Sequence, residues 1–324
     1  MTNRKFSRRS RFIAVFALAT VGAATLAVTT WPSSRHAAEA AHLGVPSSTA
    51  ALEAVIDQPG PLTVETVASA DWQIDRSGLI NLKHPKAQAA GLKDGLEPIQ
   101  IFFHAIHHPT RGLFIVDTGV ENALANDREH AALRGPVASA AHVDLLKANA
   151  PLGQWLSAQH EPLEGVLLTH LHLDHVSGMP DVPTSVPVFV GPGETSEHGG
   201  MNVLTQPIID RALGDRGPLQ TFQFSRDPSG VFAGVLDVFG DGSLWALHVP
   251  GHTPGSVAYV ARTAKGPVLL TGDASHTAWG WRNGVEPGTF SDDQKASVES
   301  LKQLEALAAR HPGMSVRLGH QALN

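Results

Sequence analysis

Short apolar runs that stop at polar residues recur along the chain, and they predict strands more often than helices. Leu62 to Val67 alternates apolar and polar positions and predicts a first strand, with Trp72-Gln73-Ile74 opening a second. Ile99 to Ile106 and Leu113 to Val116 flank His108-Pro109-Thr110-Arg111-Gly112, the pattern of a hairpin. Val166-Leu167-Leu168 predicts a buried strand, and Val186–Val190, Leu244–Leu247, Val257–Ala261, Val268–Leu270 and Val316–Leu318 predict further ones. Helical spacing is rarer. Residues 120 to 165 read as mostly helical, with Ala140 to Ala148 the clearest helix and Pro151-Leu152-Gly153 its stop. Val298, Leu301, Leu304, Leu307 and Ala308 form one stripe of a long helix over Asp292 to Arg310, capped by Asp292 or Ser291. Residues 194 to 243 are punctuated by Gly and Pro. There Met201, Leu204, Ile208, Ile209 and Leu213 suggest an apolar face, and Phe222, Phe224, Phe232 and Phe239 read as core.

The polar residues at the strand ends carry the chemistry. Thr169-His170-Leu171-His172-Leu173-Asp174-His175 follows the Val166-Leu167-Leu168 run. In an extended segment His170, His172 and Asp174 share a face, and His175 joins them only if the chain turns, as Ser177-Gly178 suggests. One face plus a turned neighbour can serve two metals with different ligands. Later runs end in Pro250-Gly251-His252-Thr253-Pro254-Gly255, in Thr271-Gly272-Asp273 and in Gly319-His320. Asp117-Thr118-Gly119 closes an earlier one, and a carboxylate leaving a buried strand needs a donor. His104, His107 and His108 lie on the hairpin and read as polar or surface residues rather than ligands.

Composition changes this picture in three ways. The chain has 324 residues and no cysteine, so any metal must be held by imidazole and carboxylate. The first 40 residues have the layout of a secretory signal. Arg4, Lys5, Arg8, Arg9 and Arg11 precede an apolar run from Phe12 to about Val28, and Ala38-Glu39-Ala40 offers a small-x-small cleavage motif. Ser7-Arg8-Arg9 with Phe12-Ile13 resembles a twin-arginine signal, so export to the periplasm or medium is expected. The alternative is an uncleaved anchor. Removing residues 1–40 takes away six basic residues and Glu39 and leaves 18 Lys+Arg against 29 Asp+Glu, which is poorly suited to nucleic acid. Residues 41–61 are rich in Ala, Pro and Ser and are expected to form a flexible arm before a single domain at 62–324.

The ordered set His170-x-His172-x-Asp174-His175, His252, Asp273 and His320, with Asp117 ahead of it, resembles the metallo-β-lactamase superfamily over residues 62 to 324. The resemblance implies an α/β (α+β) fold, an αββα sandwich of two mixed sheets with outer helices. It implies one metal on His170, His172 and His252, a second on Asp174, His175 and His320, and Asp273 bridging them, with Asp117 structural. Zinc is the expected ion, with iron or manganese as alternatives. Two such ions about 3.5–4 Å apart would share a hydroxide able to attack a carbonyl or phosphoryl centre, and Asp174 would also orient it.

Departures from the family narrow the substrate. The β-lactamases of the family commonly carry Cys or Ser where this chain has Asp273. The glyoxalase II-like members continue beyond the last His, whereas here only Gln321 to Asn324 follow. What remains is similar to single-domain lactonases and secreted organophosphate hydrolases. The quorum-quenching lactonases have Asp-Ala-Ser-Tyr; this chain has Asp273-Ala274-Ser275-His276. His276 is therefore a candidate catalytic proton donor beside Asp174, and Trp279 and Trp281 are candidate pocket or core residues. The expected activity is hydrolysis of a lactone or ester, with phosphotriester hydrolysis or a non-catalytic metal-binding protein as alternatives. The expected partner is a small ester or lactone. Membrane association is expected to end with signal cleavage, and a homodimer is left open.

Overall fold

Two mixed sheets carry the strands in the computed structural model, which describes residues 34–196 and 202–323. The first sheet has eight strands, in spatial order Ala38–Ala40, Leu219–Thr221, Val188–Val190, Leu163–Leu167, Gly112–Val116, Leu96–His108, Thr63–Asp75 and Lys147–Ala148. The second runs Ser225–Arg226, Gly234–Asp237, Leu244–His248, Val257–Thr263, Gly266–Leu270 and Ser315–Arg317, and Val45–Pro46 pairs with Gly234–Asp237.

The apolar runs are continuous because both faces of these strands are covered. Phe114, Val116, Leu167 and Phe189 point into the layer between the sheets, where they meet Leu244, Ala246, Val257 and Tyr259. Their neighbours Ile115, Val166, Leu168, Val188 and Val190 face the outer helices of the first sheet with Ile209 and Leu213. On the second sheet Trp245, Leu247, Ala258 and Val260 turn outward onto Leu304 and Leu307 of the long helix Gln294–Arg310. Period-two alternation thus builds the helix–sheet–sheet–helix order expected for an αββα sandwich. Each fully buried Leu or Phe contributes about 1.5–3 kcal/mol, so the inter-sheet layer and the two outer layers all contribute to the stability of the frame.

Several local expectations change. The two strands expected at 62–67 and 72–74 are one strand, Thr63–Asp75, which absorbs a register shift between Ala68 and Ala70. The helix expected over Ala140 to Ala148 does not form. His142 sits in the left-handed region at φ 54° and ends the short helix Pro136–Ala140, and Lys147–Ala148 then adds an edge strand to Thr63–Asp75. Pro151 starts the helix Leu152–Ser157 rather than stopping one, because its missing N–H costs nothing at a helix start. Asp293, not Asp292 or Ser291, caps the long helix by accepting from Ala296 N. Met201 lies outside the described residues. Phe222, Phe232 and Phe239 are core, as expected.

The stretch expected as a flexible arm at 41–61 is packed. Its helix Thr49–Glu53 buries Leu52, and Ile56 beyond it is fully buried against Phe232 and Val235. Residues 1–33 of the expected signal lie outside the described residues, but its last seven are part of the fold. Ser34 Oγ donates to Asp210 at 2.7 Å, Arg35 reaches the carbonyls of Asp210 and Gly214, and Ala38–Ala40, the expected cleavage motif, pairs in parallel with Leu219–Thr221. Among the described residues no helix is long and apolar enough to cross a membrane.

A chain starting at Ala41 should therefore be less stable than one starting at Ser34. Several hydrogen bonds of about 1 kcal/mol net each correspond to a fall of several degrees in melting temperature. Equal melting curves for the two truncations would show that residues 34–40 add nothing.

Candidate metal centre

The strand ends converge on one edge of the sandwich. Leu163–Leu167 leads to His170, His172, Asp174 and His175. Leu244–His248 leads to His252, Gly266–Leu270 to Asp273 and Ser315–Arg317 to His320. The turn expected at Ser177-Gly178 is part of a compact bend that begins with the short helix Leu173–Val176, and it brings His175 round to the others. Gly251 is required where it stands: its φ is +142°, and a Cβ there would lie 2.3 Å from the backbone N of Ser297 in the first turn of the long helix.

The ligand atoms form the groups implied by the resemblance. His170, His172 and His252 bring their nitrogens together, and Asp174, His175, Asp273 and His320 form a second group, each within 4.8 Å. One atom lies between them. Asp273 Oδ2 has the Nε2 atoms of His276, His175, His320, His252 and His170 at 3.0, 3.2, 3.3, 3.4 and 3.7 Å.

The outer nitrogens explain this orientation. His320 Nδ1 donates to the Gln100 carbonyl and His276 Nδ1 to the Leu79 carbonyl, both at 3.0 Å. His175 Nδ1 is held by Asp117 Oδ2 at 2.8 Å, and His252 Nδ1 lies 3.3 Å from Ser291 Oγ. Each ring thus spends Nδ1 outward and aims Nε2 inward, the arrangement that fixes the tautomer of a metal-binding imidazole. His170 Nε2, His175 Nε2 and Asp273 Oδ1 are buried without a hydrogen-bond partner. Buried polar atoms are ordinarily satisfied, so converging, unpartnered nitrogen and oxygen lone pairs fit divalent cations held by imidazole and carboxylate.

Electrostatics divides the cluster. Burial, reinforced by the neighbouring histidines, drives His170 and His252 well below the ordinary imidazole value. Burial also carries His172 down to about 4, against the pull of Asp174 and Asp273. Those three imidazoles are neutral at pH 7. Burial opposes charge on His175 and His320 too, but Asp273 and its fellow carboxylates outweigh it, holding His175 well above the usual range and His320 up to about 10. Burial would raise Asp273 and Asp174, yet the surrounding histidines hold both well below the ordinary carboxylate value. Cations bound here would take the place of protons on the histidines that the carboxylates favour.

Other candidates fall outside the cluster. His104 and His108 are buried rather than on the surface, but they hydrogen-bond to Thr66 and Asp241 and are not ligands. Trp279 and Trp281 pack against core clusters, and Tyr259 is fully buried and donates to the Leu168 carbonyl at 2.9 Å. Asp117, with φ 57°, accepts from Thr169 N at 2.8 Å and so ties the ligand loop to the neighbouring strand. Sequence reading passed over Glu194, which is buried beside the same loop and accepts from Leu171 N at 2.7 Å. Its one signal was position, an acid directly after the strand-ending Gly191-Pro192-Gly193.

The cluster forms the floor of a cavity of about 250 Å³. Its walls are mainly apolar, with Trp72, Ile74, Leu79, Ile99, Val137 and Phe290, joined by Asp75 and Thr205, and among the described residues no Lys or Arg lines it. Replacing His252 by Ala removes a ligand nitrogen, whereas even an outer partner of a ligand is worth about 10–100-fold in metal affinity. His252→Ala should therefore weaken binding of at least one metal equivalent by more than about 100-fold, measured by titration against a chromogenic chelator. Wild-type affinity in that variant would remove His252 from the site.

Known proteins place this geometry. The model of the metallo-beta-lactamase superfamily matches residues 98–320. The N-acyl homoserine lactonase AttM of Agrobacterium fabrum is 28% identical over 236 residues, covering 68% of this chain and 82% of that protein. AttM of Azorhizobium caulinodans is 31% identical over 156 residues, 48% of this chain and 57% of its own length. Among solved structures, an N-acyl homoserine lactone hydrolase with N-hexanoyl-L-homoserine at its catalytic metal centre shares the fold at 19% identity and a TM-score of 0.56, over 81% of this chain and 94% of that one. AidC, a dizinc quorum-quenching lactonase, does so at 13% identity and 0.51, over 86% and 91%. With the model spanning well over half its length, this chain belongs to the metallo-beta-lactamase superfamily.

Proposed function

We propose that the protein is a dinuclear metal-dependent hydrolase that opens a neutral lactone or ester. The observation that carries this reading is a cluster of seven ligand-type side chains, five of them on the floor of a mainly apolar cavity with no Lys or Arg among the described residues that line it. Lactonase relatives and structural neighbours support it. Two divalent ions, zinc by the donor set, would be held by His170, His172 and His252 and by Asp174, His175 and His320 with Asp273 shared. When bound they would supply Lewis acidity and a water acidic enough to deprotonate near neutral pH.

The remaining roles belong to the chain. Trp72, Ile74, Leu79, Val137 and Phe290 exclude water and receive the apolar part of the substrate. A broader groove of about 590 Å³ adjoins them through Trp72, Ile99 and His320 and leaves room for a longer substituent. Asp174 lines the cavity and orients the attacking water by accepting a hydrogen bond from it. His276 also lines it, fixed by Leu79, and hydrogen-bonds or protonates the alkoxide as the acyl carbon–oxygen bond breaks. A neutral substrate suits this wall, since an anion would find no cationic side chain on it.

The same reading extends to export. The basic, apolar order of residues 1–28 supports a cleaved signal, and the packing of residues 34–40 favours a cut upstream of Ser34, for example after Gly22-Ala23-Ala24. N-terminal sequencing of protein recovered from the periplasm or medium should read a start before Ser34; a start at Ala41 or an intact Met1 would reject this.

The activity is tested with lactones, aryl esters, phosphotriesters and β-lactams on the metal-loaded protein and on His276→Phe. Turnover should be highest on lactones or esters. His276→Phe should keep both metals and lose about 10²–10⁴-fold in turnover, the usual worth of acid–base assistance. A two-metal protein inactive on lactones and esters would overturn the assignment, and unchanged kinetics in the variant would strip His276 of its role.

A further inference from the structure

We infer that Glu194 is a positioning residue for one metal position only, the one formed by His170, His172 and His252. The inference rests on the dinuclear reading above. Glu194 follows the strand Val188–Val190 and is 3% exposed. One carboxylate oxygen accepts from Leu171 N at 2.7 Å, and the other accepts from Gly255 N at 3.0 Å and from Thr253 Oγ1. Leu171 lies between His170 and His172, and Thr253 follows His252. A single buried carboxylate therefore joins the two loops that supply this position, loops about eighty residues apart in sequence.

The contact is built for that carboxylate. A Cβ on Gly255 would stand 2.7 Å from Glu194 Oε1 and 2.7 Å from the Pro192 carbonyl, so glycine is what lets the His252 loop approach. Across the site His252 Nε2 comes within 2.8 Å of His172 Nδ1, a spacing that depends on both loops staying in register. Asp117 has a wider reach. It accepts from Thr169, whose Oγ1 lies 3.0 Å from Nδ1 of His170, and it holds Nδ1 of His175, so it touches residues of both positions. Charge-assisted bonds to backbone N–H groups make each carboxylate the stronger kind of tether.

The test uses the full chain stripped of metal, titrated with Zn²⁺ against a chromogenic chelator, with melting of the metal-free protein as control. Glu194→Ala should weaken one of the two equivalents by about 10–100-fold, the usual worth of a ligand's outer partner, and leave the other unchanged. In the His252→Ala background, where that position already lacks a ligand, Glu194→Ala should have no further effect. Glu194→Gln keeps one acceptor oxygen and should fall between wild type and Ala. Asp117→Asn, at a carboxylate that touches residues of both positions, should weaken both equivalents. Unchanged affinities in Glu194→Ala, equal loss at both positions, or failure of both Glu194 variants to fold without metal would overturn the inference. A wild-type protein binding fewer than two equivalents would instead overturn the dinuclear reading, and this inference with it.

Discussion

Five imidazole nitrogens stand within 3.7 Å of one buried carboxylate oxygen, Asp273 Oδ2. Hydrogen bonding cannot satisfy that arrangement, because a neutral ring that donates from Nδ1 turns an unprotonated Nε2 toward the oxygen, and one oxygen has few lone-pair sites for the remaining rings. Nor can water spread the charge at so buried a place. Bringing ionisable groups together here costs several kcal/mol for each charge taken from water. A flexible scaffold would relieve that cost by letting the groups drift apart. The frame around Asp273 must therefore be rigid, and most of the fold can be understood as the means of making it so.

Rigidity comes from where the ligands sit. Each leaves the end of a strand whose interior is locked between layers, as Leu167 and Phe189 are on one sheet and Leu244 and Tyr259 on the other. In the first sheet Leu163–Leu167 is flanked by Gly112–Val116 and Val188–Val190, all parallel. The central strand delivers the ligand loop, and its neighbours end in Asp117 and Glu194, one carboxylate on each side. The backbone N–H groups of Thr169 and Leu171 are thus gripped from opposite directions. Register in the sheet becomes position in the site.

The legible parts of the chain were those whose physics is local. Val166 to Leu168 and Val257 to Ala261 read as strands because burial on both faces leaves nothing but apolar residues. His170, His172, Asp174 and His175 stood out because ligands on one loop must be close in sequence. Ala140 to Ala148 misled because its composition suits a helix, while the decisive events are a left-handed His142 and pairing with a strand some seventy residues earlier. Residues 41–61 looked loose for their Ala, Pro and Ser content, yet Leu52 and Ile56 are fully buried, Thr49 donates to Asp227 and Val45–Pro46 pairs with the second sheet. Glu194 was hidden for a related reason. Its partners Leu171, Thr253 and Gly255 lie 23 to 61 positions away, and a lone acid after a Gly-Pro-Gly loop is commonplace.

The floor and the wall of the cavity obey different constraints, and this bears on selectivity. The floor is set by strand ends and by Asp117 and Glu194, so a change there displaces side chains of the cluster itself. The wall comes from Trp72 and Ile99 on the sheet, Leu79 and Val137 on short helices, and Phe290 on a loop. Trp72 and Ile99 face each other in the pairing of Thr63–Asp75 with Leu96–His108, and Trp72 Nε1 donates to the His142 carbonyl at 3.0 Å. Substitutions at Val137 or Phe290 alter shape without touching a ligand. His276 belongs to both, since its Nε2 faces Asp273 while its ring lines the cavity and its Nδ1 is tied to Leu79 in the wall.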